Sequence, residues 1–190
     1  MDCLLTVNNA KLLKWFIVWA FVMVVIVVLT LPDERPDKID SPGFETTESA
    51  ALYFKNVRSF YYRNNPEAEG ILDVYRLKSI FSDSLPSLPF ALYNNWRTNE
   101  TFIRLDTAFI NVRSFSAVIA DSSGIKADTI ALPQMTNESQ YIFARDIYKA
   151  LSDKEKLGLT NGKDIIWLSE SMNLSIKRTL TDYFRLLGKI

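Results

Sequence analysis

The chain opens on a single long apolar stretch and then shifts to short periodic runs separated by polar turns. Trp15 through Leu31 contains no charged residue. At a helical rise of ~1.5 Å per residue this run covers roughly 26 Å. Leu12 and Leu13 extend it to about 20 residues, the length that crosses a ~30 Å hydrocarbon core. Lys14, Trp15 and Trp19 cluster at its N-terminal end. A lysine there can snorkel to the headgroups, and indole rings favour the interface. The pattern therefore predicts a cytoplasmic tail (1–11), a transmembrane anchor (12–31), a Pro-rich tether (32–44) and an extracytoplasmic domain (45–190).

Basic residues set the expected orientation. Lys11 and Lys14 precede the run, whereas Pro32-Asp33-Glu34-Arg35-Pro36-Asp37-Lys38 follows it with a net acidic balance. The N-terminus is expected in the cytoplasm of a single-pass inner (plasma) membrane protein, with residues 32–190 in the periplasm or outside the cell. A cleaved signal peptide fits less well. The apolar core exceeds the usual ~7–15 residues, and no small-x-small site follows it. Fully extended, the tether would reach about 40 Å at ~3.1 Å per residue, far enough to hold the domain clear of the bilayer.

Beyond the tether, Ala50, Tyr53, Phe54, Val57, Phe60 and Tyr61 recur at helical spacing and predict a helix over 47–57, capped by Thr46 or Thr47. The stretch 57–63 is equally rich in strand-forming aromatics. Strands are predicted over 71–78, 90–96, 101–106, 112–120 and 130–132, with a hairpin turn at Arg97-Thr-Asn-Glu100. Two further helices are predicted. The first, 139–151, is capped by Asn137 or Ser139, and the second covers 170–187. Asn161-Gly162 is a turn between them, and 165–168 a short strand. The expected fold is α+β: a small antiparallel sheet of four or five strands with helices packed on one face.

Composition narrows the chemistry. Acidic and basic residues balance at 22 each, there is no histidine, and the one cysteine is Cys3. A balanced surface is a poor match for nucleic acid. Without histidine, and without cysteine beyond position 3, the outer domain has no zinc, haem or iron–sulfur ligands of the usual types and no Ser-His-Asp or Cys-His pair. No metal or cofactor is expected.

Two catalytic arrangements remain to be weighed. Ser123-Gly-Ile-Lys126 matches the Ser-x-x-Lys spacing of serine acyl-enzymes, but Gly124 falls between its ends. Glu67, Glu69 and Asp73 could supply paired carboxylates for glycan hydrolysis, although acids in a polar turn are ordinarily solvated.

Three dipeptides set an aromatic beside an arginine: Tyr62-Arg63, Tyr75-Arg76 and Trp96-Arg97. These side chains dominate interface hot spots, so they are candidates for a partner-binding surface. The plain alternative puts the aromatics in the core and the arginines in solvent. The function expected from these features is a membrane-anchored, non-enzymatic binding or assembly domain, such as an accessory subunit of an envelope complex. An envelope hydrolase and a passive structural spacer are the alternatives.

Overall fold

The computed structural model describes residues 13–23, 39–66, 71–80, 88–106, 115–121, 127–153, 155–160 and 164–190. It divides into two compact units, Met1–Glu34 and Arg35–Ile190. In the first, residues 13–23 form helix α1, with Lys14, Trp15 and Trp19 all exposed. Among the described residues no helix is long and apolar enough to cross a membrane. Positions 12 and 24–31 of the predicted anchor lie outside them.

The second unit is α+β. Helix α2 (Glu48–Tyr53) starts at Thr47, whose side chain accepts from the Ala50 amide. It widens into a π-turn over Phe54–Arg58 and tightens into a 3-10 turn over Ser59–Tyr61. Strands β1 (Tyr62–Pro66), β2 (Leu72–Leu77), β3 (Phe90–Asn95) and β4 (Glu100–Leu105) then form one antiparallel meander in the order β1-β2-β3-β4. Strands β5 (Phe115–Ala120), β6 (Ala127–Leu132), β7 (Lys156–Thr160) and β8 (Ile165–Trp167) form a second antiparallel sheet, ordered β6-β5-β7-β8. Helix α3 (Asn137–Ser152) lies between β6 and β7 in sequence, and α4 (Glu170–Leu186) closes the chain.

Both long helices rest on strands of both sheets, so a single core serves the whole unit. On α4, Met172, Ile176, Leu180, Tyr183, Phe184 and Leu187 are all buried, as their helical spacing implies. On β4, Thr101, Ile103 and Leu105 are buried while Phe102 and Arg104 are half-exposed, the alternation of a strand covered on one face.

Several expectations need correction. The strands make two sheets, not one. Strand β7 runs through Lys-Leu-Gly-Leu-Thr, where no strand is predicted from sequence. The turn expected at Asn161-Gly162 lies outside the described residues. The cap of α3 is Thr136, whose side chain accepts from the Ser139 amide. The first helix is α-helical only to Tyr53. Finally, part of the predicted tether belongs to the core. Ile39 is buried, its carbonyl accepts from the Tyr141 hydroxyl at 2.7 Å, and the Phe44 ring meets Phe102 at 5.0 Å.

Candidate functional site

The periodic stripe at 53–61 ends mostly in solvent. The π-turn closes with the Ser59 amide bonded five residues back to the Phe54 carbonyl, one residue more than an α-helix allows. Phe54 is buried, where its ring meets Tyr62 and Tyr75 at 5.3 and 5.1 Å. Leu52, Tyr53, Val57, Phe60 and Tyr61 are left exposed, with Phe60 at 71 %.

A buried polar cluster holds this segment in place. Asp182 on α4 is buried and accepts a two-point fork from Arg58, at 2.8 Å from Nε and 2.9 Å from Nη2. The Tyr62 hydroxyl donates to the same carboxylate at 2.8 Å. The bond to Asp182 raises the Arg58 guanidinium further above its already high range. Burial, and then the negative charge of Asp182, pushes the Tyr62 phenol far above the usual tyrosine value.

Above the cluster, the guanidiniums of α4 meet the aromatics of the segment. Arg178 Cζ lies 5.7 Å from the Tyr61 ring centre, and Arg58 Cζ lies 4.9 Å from it. Arg185 Cζ lies 5.7 Å from the Tyr53 ring. Tyr53 meets the later arginine and Tyr61 the earlier one, so the two segments run antiparallel. None of these contacts involves a residue pair read from the sequence.

The predicted aromatic–arginine pairs are placed as follows. Tyr62 is buried and unavailable to a partner, while Arg63 points to solvent, because successive strand residues face opposite ways. Tyr75 is half-buried against Phe54 and Tyr62. Its neighbour Arg76 pairs with buried Asp106. Register sets Arg63 opposite Arg76 on the outer face of the first sheet. Trp96 and Arg97 form the tip of the β3–β4 hairpin. Both are exposed, with the Arg97 guanidinium stacked 5.3 Å from the Trp96 ring, and Asn99 takes the left-handed conformation that completes the turn. The first two pairs are thus neighbours across β1 and β2, and Trp96–Arg97 stands at the hairpin tip.

A second exposed feature lies on the short strand expected at 165–168, whose exposure leaves no mark in the sequence. Among the described residues strand β8 is an edge strand, and Ile165, Ile166 and Trp167 are 44 %, 51 % and 47 % exposed. The Leu168 amide bonds the Leu157 carbonyl at 2.9 Å. Antiparallel pairs alternate between hydrogen-bonded and not, so Ile166 faces β7 through its backbone. The backbone groups of Ile165 and Trp167 therefore point to the open edge.

Beside this edge lies a cleft of about 540 Å³. Leu151, Leu168 and Leu174 supply its apolar lining, with Lys156, Lys177 and Glu170 around them. The buried Asn173 side-chain oxygen in its wall has no hydrogen-bond partner among the described residues.

Of the catalytic candidates, Ser123, Lys126, Glu67 and Glu69 lie outside the described residues. Asp73 is half-buried and accepts from Asn64 at 3.4 Å. Among the described residues no group of carboxylates or thiols is arranged to hold a metal ion. No protein-family model, curated protein or solved structure matches the chain.

Proposed function

We propose that the protein is a single-pass, membrane-anchored binding or assembly subunit whose outer domain captures an extended segment of a membrane or envelope protein on strand β8. The anchor rests on the uncharged run from Trp15 to Leu31. The observation that carries the binding reading is the open β8 edge, three residues long and apolar at every position.

A partner strand laid against it would take up the backbone groups of Ile165 and Trp167. It would also cover two large side chains that water now touches. Every second side chain of that strand would fall on the side of Ile166 and Leu168, near the apolar cleft. An apolar anchor residue there, with a backbone or side-chain donor for Asn173, is the chemistry the cleft fits. The Trp96–Arg97 tip is a second exposed contact available to the same or another partner.

The test is a photo-crosslinking amino acid placed at Ile166 in the full chain, in its own membranes, with Asp128 on β6 as the comparison site. The reading predicts one discrete adduct from position 166 and none from 128. Equal, diffuse adducts from both sites, or none from either, would overturn it.

A further inference from the structure

We infer that the exposed face formed by residues 52–61 and the outer side of α4 docks on the headgroup boundary of an anionic bilayer, so that the domain lies on the membrane. The inference rests on the anchored reading above. It begins with the length of free chain. Ile39 is fixed in the core, so residues 32–38 alone separate the domain from the end of the apolar run. Leu31 to Ile39 covers about 27 Å even when fully extended. A compact unit of this size is roughly 40 Å across. The leash therefore keeps the domain's point of entry within about 27 Å of the end of the apolar run.

The point of entry identifies that face. Ile39 and Asp40 are held by Tyr141, Arg145 and Lys149 of α3, and Ser41 accepts a bond from Lys189, so the chain enters the domain between α3 and the C-terminal end of α4. At this same end Arg185 lies over Tyr53.

The chemistry of the face is that of a membrane interface. Leu52, Tyr53, Phe60 and Tyr61 are exposed apolar and amphipathic side chains, suited to the headgroup–acyl boundary. The cations around them are Lys55, Arg178 and Arg185, all exposed. The Lys78 ammonium adds another charge at the Phe60 carbonyl, 2.8 Å away. Asp182 is buried and paired with Arg58, and against the four cations stands the exposed Glu48 at the start of α2. A surplus of positive charge beside exposed apolar side chains complements anionic headgroups.

The experiment uses the full chain with Cys3→Ser, reconstituted into vesicles of equal phosphatidylglycerol and phosphatidylcholine, and into phosphatidylcholine alone. A polarity-sensitive fluorophore is attached at Phe60→Cys, or at Asp128→Cys as the comparison site. In the anionic vesicles the label at 60 should shift to shorter wavelength and be quenched at least two-fold by spin-labelled lipid. Arg178→Glu with Arg185→Glu should reduce that quenching at least two-fold, and the label at 128 should stay water-like. Water-like emission at 60 from protein that resists carbonate extraction would overturn lipid docking and leave the anchor standing. A shift found only in native membranes, with a protein adduct, would overturn it in favour of a protein partner. Release of the protein by carbonate would overturn the anchor itself and this inference with it.

Discussion

Arg58 grips Asp182 with two parallel hydrogen bonds of 2.8 and 2.9 Å across a sequence separation of 124 residues. This contact fixes the irregular 54–61 segment to α4, and Tyr62 adds a third bond to the same carboxylate. Asp182 is buried, so removing Arg58 strands a charge away from water. Arg58→Ala should cost about 3 kcal/mol of stability. Tyr62→Phe should cost about 1 kcal/mol. The two should be non-additive in a double-mutant cycle, because both act on one carboxylate. Thermal unfolding followed by near-ultraviolet circular dichroism measures all four proteins.

Tyr62 of this cluster and two other buried tyrosines give the domain a sensitivity to high pH. Burial raises the phenols of Tyr62 and Tyr183 well above the ordinary tyrosine value, and that of Tyr141 to about 12. A raised folded-state value means that stability is complete below the unfolded value, near pH 10, and is lost as pH climbs towards the folded value. Each such tyrosine lowers stability by about 1.4 kcal/mol per pH unit in that window. Absorbance at 295 nm should therefore show these tyrosines ionising together with unfolding above pH 10. Smooth ionisation of every tyrosine near pH 10 in a protein that stays folded would contradict the burial pattern.

Much of the fold is legible in local pattern. Both long helices and the β3–β4 hairpin follow from periodicity and turn chemistry, because each buries one face and its neighbours lie close in sequence. Long-range relationships leave no such mark. Nothing in the residues around Arg58 points to Asp182. The stripe 53–61 announces a helix, but periodicity cannot tell an apolar face turned to the core from one turned to solvent. The π-turn, which commits Phe54 alone to the core, carries no sequence signal. Strand β7 is hidden by Gly158, which lowers strand preference yet is required by packing across the ladder.

That requirement is testable. A Cβ on Gly158 would stand 2.8 Å from Ile165 Cγ2 and 2.9 Å from the Trp167 ring. Gly158→Ala should push β8 off the sheet at a cost of about 1–3 kcal/mol. Hydrogen exchange at the Leu168 amide, which bonds Leu157 in the native sheet, should accelerate while α3 and α4 stay protected.

Arg76 and Arg97 look equivalent in sequence and are not. Arg76 faces buried Asp106, so Arg76→Ala should lower stability by about 2–3 kcal/mol through the charge left behind. Arg97 touches the exposed Trp96 ring at a hairpin tip, and Arg97→Ala should change stability by less than about 0.5 kcal/mol. Equal effects in a side-by-side melt would mean that one of these placements is wrong.

The most direct test of the binding reading is a mild-detergent purification of the full chain at native abundance. Wild type is compared with an Ile166→Lys, Trp167→Glu variant by quantitative mass spectrometry. Both altered side chains are about half exposed, so the variant should fold normally. The account predicts one membrane or envelope protein near one-to-one with wild type and at least ten-fold depleted from the variant. A partner retained equally by both, or no partner with either, would contradict it.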